Sequence, residues 1–171
     1  MKRVLVKSVY DAFEYVMDHY YPFGLNEMVN RDDTYAVISI QDTHTKGFGF
    51  EFKENEYCKD VLTLYFDDIV KEVDGAKLFS EDDANKIIDF ILVNRSVDTL
   101  LIHCYAGQSR SRAVGAFVLK MFNQDNTHYF EKYDPNRFIY DLLLDTYAKR
   151  GELWFVQKWQ RRRWQSHTKP I

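Results

Sequence analysis

Residues 99–122 read TLLIHCYAGQSRSRAVGAFVLKMF, and this stretch determines the architecture that the rest of the chain supports. Its first part, Thr99–His103, is a continuous apolar run, which is typical of a strand covered on both faces. Its last part, Arg110–Phe122, carries apolar residues at helical spacing. A short loop that contains Gly107 joins the two, with Cys104 at its start. Because a buried strand followed by a helix is the unit of parallel sheets, the stretch predicts an α/β fold.

The sequence on either side continues the alternation of strand and helix. Residues 41–55 are polar and contain two glycines, which favours a loop or hairpin. We therefore predict one α/β domain over residues 1–171, with a central, mostly parallel sheet flanked by helices and a site at the strand ends. The other predicted strands are Arg3–Val9, Tyr35–Ile40 and Asp60–Phe66; the other predicted helices are Tyr10–Tyr20, Ala84–Leu92 after a capping box of Ser80 and Asp83, and a helix from Pro135 to near Gly151.

The charge of the chain is close to balanced but is unevenly distributed. It has 23 basic and 26 acidic residues and a net charge of −3, which neither demands nor excludes an anionic partner. Residues 152–171 form a basic C-terminal segment with Glu152 as its single acidic residue. This segment suits nucleic acid or an acidic partner, and a solvated helix end explains it equally well. Its basic residues are Lys158, Arg161, Arg162, Arg163 and Lys169.

The sequence favours a cytoplasmic location. The apolar run near the N-terminus is too short for a signal peptide. The longest apolar run, Ala113–Leu119, is too short to cross a membrane. The two cysteines, Cys58 and Cys104, are interpreted as free thiols of an intracellular protein.

Residues 103–111, HCYAGQSRS, have the properties of a phosphate-binding loop. A helix N-terminus offers unpaired backbone N–H groups and a partial positive charge, which together bind anions. Gly107 permits a turn tight enough for successive N–H groups to converge. Cys104, at the strand end, points to the same place, and a helix N-terminus and a nearby cation favour its nucleophilic thiolate form. The planar guanidinium of Arg110 can hold two phosphate oxygens.

Two further side chains of this segment are candidates for the chemistry. Ser111 can donate a hydrogen bond to the sulfur, which would favour the thiolate as a leaving group. His103 is expected to orient the loop through side-chain hydrogen bonds.

The segment HCYAGQSRS resembles the signature of the protein tyrosine phosphatases, a cysteine and an arginine separated by five residues. It matches the form His-Cys-x-x-Gly-x-Ser-Arg-Ser of compact dual-specificity-like members, and the layout is similar to small bacterial or phage members. The resemblance covers about residues 35–150 and is loose in the N-terminal part.

The resemblance implies a role for each site residue. Cys104 would attack phosphorus, and Arg110 and the backbone N–H groups would hold the phosphate oxygens. An aspartic acid that follows an upstream strand would protonate the leaving oxygen and then activate water. Asp68 is favoured for this role, and Asp67 is the alternative. No metal or cofactor is required. The substrate-binding residues would be Tyr105, Ala106, Gly107, Gln108, Ser109 and Arg110.

The implied function is hydrolysis of phosphate monoesters through a phosphocysteine intermediate. The expected partner is a phosphorylated protein or peptide, with phosphotyrosine favoured and phosphoserine or phosphothreonine as further substrates. Three alternatives stay open: an RNA 5′-phosphatase, which the basic segment would suit; a phosphoinositide phosphatase, although the loop lacks lysine; and an inactive phospho-binding module. The oligomeric state does not follow from the sequence.

Overall fold

A computed structural model describes residues 1–25, 31–45, 47–49 and 51–151 of the chain. Its centre is a four-stranded sheet in the order β1-β4-β2-β3, and every neighbouring pair is parallel. The single α/β fold with a parallel sheet is thus confirmed. The strands are β1 Arg3–Ser8, β2 Tyr35–Gln41, β3 Cys58–Tyr65 and β4 Thr99–Cys104.

Five helices connect and cover the strands in the described part of the chain. Four of them are α1 Val9–Tyr20, α2 Glu81–Val93, α3 Arg110–Met121 and α4 Thr127–Lys132. The fifth, α5, occupies residues 137–151. The predicted capping box starts α2: the Ser80 hydroxyl accepts from the Asp83 N–H at 3.2 Å, and the Asp83 carboxylate accepts from the Ser80 N–H at 3.2 Å.

The sheet is buried on both faces, which explains why its central strands are uninterrupted apolar runs. On one face, Ile38 of β2 and Ile102 of β4 belong to a core shared with α2 and α3. On the other face, Val37 and Leu101 belong to a second core with Val16 of α1. Packing in the two cores fixes the position of β4 relative to its neighbouring strands, and therefore the position of Cys104 at the end of β4.

The helices after α3 differ from the sequence prediction. The short helix α4 was not predicted. Helix α5 begins at residue 137 rather than at Pro135, because the side chain of Asn136 accepts a hydrogen bond from the Ile139 N–H at 3.2 Å and so caps the helix. No helix in the described ranges is long and apolar enough to cross a bilayer. The basic C-terminal segment 152–171 lies outside the described residues.

Gly115 of α3 marks a close contact between the helix and the sheet. A Cβ atom at this position would lie 2.5 Å from Val6 Cγ2 and 3.0 Å from the Tyr129 hydroxyl oxygen. We predict that Gly115→Ala lowers the free energy of unfolding by ~1–3 kcal/mol, measured by urea denaturation, because overpacking outweighs the better helix propensity of alanine.

The control is Gly151→Ala, since Gly151 is also helical and a Cβ atom there meets nothing within 4 Å. A Gly115→Ala protein as stable as wild type would contradict the described contact between α3 and β1.

Candidate active site

Four acidic or nucleophilic side chains meet at one edge of the sheet, because all four strands are parallel and end there. Cys104 is the last residue of β4. Asp42 follows the last residue of β2, and Asp67 and Asp68 follow β3 after Phe66. The structure therefore places the proposed nucleophile and both candidate acids at the same edge.

In the loop between β4 and α3, three carbonyl groups accept hydrogen bonds, whereas the N–H groups of four residues donate none to the described residues. The Tyr105 carbonyl accepts from the first N–H of α1 at 3.1 Å, and the Gly107 carbonyl accepts from Arg112 Nε at 2.9 Å. The Ser109 carbonyl accepts within the first turn of α3. The N–H groups of residues 106–109, by contrast, donate to no other described residue. Such a set of unpaired donors at a helix N-terminus is an anion-binding arrangement.

Gly107 gives this loop its shape. Its φ of +69° lies in the left-handed region, and a Cβ atom would lie 2.4 Å from the backbone nitrogen of Ser8 and 2.5 Å from the carbonyl carbon of Lys7. Any other residue would force the loop away from the end of β1. The predicted requirement for glycine in the turn therefore has a second cause, the close approach of another backbone.

The Cys104 thiol lies next to a hydroxyl, as the sequence predicted. Its Sγ is 3.1 Å from Oγ of Ser111 in the first turn of α3. Cys104 is 2% exposed and Ser111 is fully buried, so water has little access to this pair. A hydroxyl in this position can donate to a thiolate and stabilise its charge.

Arg110 is buried, and part of its guanidinium is held by other loops of the same edge. Its Nη1 donates to the Phe66 carbonyl at 2.9 Å and lies 2.6 Å from Asp42 Oδ1. Its Nε is buried and has no hydrogen-bond partner among the described residues. One side of the guanidinium is therefore engaged, and Nε is left without a hydrogen-bond partner among the described residues.

Asp42 is a site residue that the sequence analysis missed. It carries the charge that compensates the buried guanidinium of Arg110. The signal in the sequence was an acidic residue directly after a buried strand, YAVISIQD, at the edge where the neighbouring strand places Cys104. This pattern identifies Asp42 as a site residue only when the order of the strands is known.

The two candidate acids have different surroundings. Asp68 is exposed, and its Oδ1 accepts at 2.8 Å from the Ser109 hydroxyl of the loop and at 2.8 Å from the Asn136 side chain. Asp67 is 4% exposed and turns away, accepting from the N–H groups of Thr43 and Lys77.

These contacts set the protonation of Asp67. Burial favours its neutral form, but the hydrogen bonds from Thr43 and from the Lys77 backbone outweigh burial and hold the pKa of Asp67 below its usual range. An acid with a lowered pKa and occupied oxygens is poorly suited to donate a proton. Asp67 instead joins the loop after β3 to the loop after β2.

The surroundings of His103 are mainly apolar. We expected its side chain to orient the loop by hydrogen bonds; neither ring nitrogen has a partner at normal hydrogen-bond geometry among the described residues, and the polar group that acts on the ring is the Cys104 backbone. The ring packs against Phe48 and Phe52, with centroid distances of 6.3 and 5.4 Å. Burial lowers the pKa of His103 to about 4, an effect that the nearby backbone of Cys104 partly opposes. His103 is therefore a neutral packing residue beneath the loop that follows β2.

Cys58, the second thiol, lies at the other end of the sheet. It is paired with Tyr35 at the start of β2, and Tyr35 is level with Thr99 of β4. Cys104 is five residues further along, or roughly 17 Å at the rise of a strand. Burial raises the pKa of Cys58 to about 11, with Tyr35 opposing the effect. A disulfide between Cys58 and Cys104 is incompatible with this fold.

Among the described residues, this edge offers a ligand the loop N–H groups, the Arg110 guanidinium and the exposed carboxylate of Asp68. No set of three or more His, Cys, Asp or Glu side chains in the described ranges is placed to share a metal ion. The loop N–H groups and Arg110 suit an anion.

The buried ring of His103 predicts a loss of stability in acid. Between a pH near 6.5, where histidine in the unfolded chain takes up a proton, and pH 4, where His103 does so in the folded protein, unfolding takes up a proton. The free energy of unfolding therefore falls as the pH falls through this window. We predict that His103→Gln, which cannot titrate, loses about 2 kcal/mol less than wild type between pH 7 and pH 4.5.

Urea denaturation of both proteins at the two pH values measures this difference. An equal loss in the two proteins would show that His103 is protonated while folded, and would contradict its burial beneath Phe48 and Phe52.

Comparisons with known proteins agree with the fold. No protein-family model matches the sequence, and no curated protein matches it significantly. Among solved structures, human DUSP28 is similar with a TM-score of 0.50 at 13% identity, over 87% of this chain and 94% of that chain. Cydia Pomonella PTP-2 phosphatase gives 0.48 at 18% identity, over 84% of each chain. PTPMT1 gives 0.48 at 16% identity, over 88% of this chain and 95% of that chain. The chain has a fold like that of the cysteine-dependent tyrosine and dual-specificity phosphatases.

Proposed function

We propose that this protein hydrolyses phosphate monoesters through a phosphocysteine intermediate, and that its substrate is phosphotyrosine in a protein. One observation carries the proposal. The Cys104 sulfur lies 3.1 Å from the Ser111 hydroxyl, beside a loop whose N–H groups have no partner in the described part of the chain and beside the buried guanidinium of Arg110. This arrangement combines a nucleophile, an anion cradle and a charge clamp.

The reaction follows in two displacements. In the first, the Cys104 sulfur attacks phosphorus, the bond to the leaving oxygen breaks, and Asp68 gives that oxygen a proton. In the second, Asp68 takes a proton from water, the water oxygen attacks phosphorus, and the sulfur leaves as a thiolate that the Ser111 hydroxyl stabilises. Arg110 and the loop N–H groups hold the three phosphate oxygens in both steps.

The surroundings of the two acids support Asp68 as the proton donor. Its hydrogen bond to Ser109 keeps it beside the loop, and it is exposed to an incoming substrate. Asp67 has its oxygens occupied by Thr43 and Lys77.

Exposed aromatic rings support phosphotyrosine over phosphoserine. Tyr105, directly after the nucleophile, is 52% exposed, and Tyr10 of α1 is 68% exposed. Their ring centroids are 6.4 Å apart in an edge-to-face arrangement. Aromatic surfaces of this kind favour a ring on the substrate by about 0.5–1.5 kcal/mol for each contact. Phosphoserine and phosphothreonine, which lack a ring, would be weaker substrates.

The alternative functions have less support from the described residues. The RNA 5′-phosphatase hypothesis rests on the basic segment, which lies outside them. An inactive phospho-binding module would not need Asp68 beside the loop or a hydroxyl beside the sulfur. Neither of these alternatives has an observation of its own in its favour. The third, a phosphoinositide phosphatase, has against it a phosphate loop without lysine.

Replacement of the nucleophile is the first test. We predict that Cys104→Ser lowers the turnover of an aryl phosphate by at least about 10⁴-fold, since serine at this position lacks a base to activate it. The protein should still bind vanadate or phosphate, because the loop N–H groups and Arg110 remain. Cys58→Ala is the matched control and should retain activity. Vanadate-sensitive turnover by Cys104→Ser above a trace would rule out this nucleophile.

Substrates with different leaving groups test which residue is the proton donor. We predict that Asp68→Asn slows hydrolysis of phosphotyrosine by ~10²–10⁴-fold but slows hydrolysis of an activated aryl phosphate much less, because a good leaving group needs no proton. Steady-state kinetics on both substrates measure the difference.

Asp67→Asn is the companion variant. It should lower the stability of the protein, since it weakens the contacts with Thr43 and Lys77, and affect both substrates to the same degree. If the loss of activity depended on the leaving group in Asp67→Asn but not in Asp68→Asn, Asp67 rather than Asp68 would be the proton donor.

A further inference from the structure

A pocket of about 420 Å³ lies at the ends of β2 and β3, and it is lined by residues of the segment that joins these strands. Its floor is Gln41, the last residue of β2, and its walls include the aromatic rings of Phe48 and Tyr65. Glu51 and Lys53, both exposed, complete the lining together with two glycines. None of these residues takes part in the two displacements proposed above.

The floor of the pocket carries a buried polar atom that lacks a partner. Gln41 is 2% exposed, and its Nε2 donates to the Ser39 hydroxyl at 2.7 Å. Its Oε1 is buried and accepts no hydrogen bond from any described residue. A buried acceptor without a donor costs about 1–3 kcal/mol, so a ligand that supplies an N–H or O–H group is favoured here.

The walls define the rest of the ligand. Phe48 and Tyr65 offer aromatic surface, and Tyr65 is 39% exposed. Glu51 and Lys53 balance each other in charge, so the pocket has no preference for an anion and is not a second phosphate site. It suits a flat, partly apolar group that ends in a hydrogen-bond donor.

The pocket is connected to the phosphate loop. The Phe48 ring lies 5.6 Å from the Tyr105 ring, and Tyr105 directly follows the nucleophile. Gln41 directly precedes Asp42, which holds Arg110. An extended chain advances ~3.3–3.6 Å per residue. When the phosphorylated residue occupies the phosphate loop, the side chain of a residue close to it in sequence can therefore reach the pocket.

We infer that this pocket is a second recognition subsite, which binds the side chain of a residue near the phosphotyrosine in the substrate polypeptide. This side chain is planar at its end and carries a hydrogen-bond donor there. Glutamine is the simplest example, and its N–H group donates to Gln41 Oε1. The inference rests on the proposed function, because it takes the phosphate loop as the site of the phosphotyrosine.

Phosphotyrosine peptides provide the test. One peptide has alanine on both sides of the phosphotyrosine, and the others carry glutamine at one of the nearest positions on either side. We expect glutamine at one of these positions to raise kcat/KM about 3- to 10-fold, mainly by lowering KM. This is the gain in affinity that one additional hydrogen bond gives. Turnover of a small aryl phosphate, which does not reach the pocket, is the reference in each protein.

Two variants remove the pocket in different ways. Gln41→Leu removes the acceptor, and Tyr65→Ala removes a wall from an exposed position where the fold does not depend on it. Both should lose the gain from glutamine. The matched control is Tyr147→Ala, because Tyr147 is 38% exposed and lies on α5 outside the pocket lining; it should keep the gain. A gain that survives in both Gln41→Leu and Tyr65→Ala, or no gain at any position, would overturn the inference.

Binding of the same peptides to Cys104→Ser separates this inference from the proposed function. A glutamine-dependent increase in affinity that is lost in the pocket variants supports the subsite even if wild type hydrolyses no peptide, in which case the proposed function fails alone. Turnover of peptides without any effect of glutamine leaves the function and overturns the subsite. If a 5′-phosphorylated RNA bound in a way that depends on Tyr65, and glutamine in the peptides had no effect, the pocket would be assigned to a nucleotide. That result would also overturn the peptide subsite.

Discussion

The contact between two backbones, at Gly107 and at the end of β1, is the constraint on which the site depends. A Cβ atom on Gly107 would lie within 2.7 Å of three backbone atoms of Lys7 and Ser8, so the loop lies directly against the strand end. The same approach lets the first N–H of α1 bond to the Tyr105 carbonyl, which turns that carbonyl away from the site. The N–H groups of residues 106–109 are left without a partner among the described residues, and Tyr10 is placed beside Tyr105.

The second constraint is the charge of Arg110. A guanidinium buried in this way needs compensation, because an unpaired buried charge costs several kcal/mol. Asp42 supplies it from the loop after β2, and the Phe66 carbonyl supplies a further acceptor from the loop after β3. Asn136 then bonds to Asp68 and to the Ile69 carbonyl. The loop after β3 therefore contributes to both, through Phe66 for the clamp and through Asp68 and Ile69 for the acid.

Local pattern predicted the parts of this structure that depend on neighbours in sequence. The run TLLIH, the glycine turn and the helical spacing after Arg110 identify a strand, loop and helix, and the Ser80–Asp83 pair identifies a helix start. The pairing of Ser111 with Cys104 also follows from the sequence, because seven residues across a tight loop return to the strand end.

Contacts between distant residues could not be predicted. Asp42 meets Arg110 only because β2 lies between β4 and β3. The choice between Asp67 and Asp68 depends on which side chain turns inward, and that is decided by Thr43 and Lys77. His103 was predicted to orient the loop by side-chain hydrogen bonds, yet its ring packs against Phe48 and Phe52 of the segment after β2.

The central claim is that the Cys104 sulfur forms a covalent bond to phosphorus. The most direct measurement is the intact mass of the protein after it is mixed rapidly with a phosphotyrosine peptide and quenched in acid. The account predicts a species heavier by one phosphoryl group, with the group on Cys104 after digestion and absent from the Cys104→Ser protein. Turnover of the peptide with the phosphoryl group on another residue, or with no phosphorylated protein at any time within the first turnover, would contradict it.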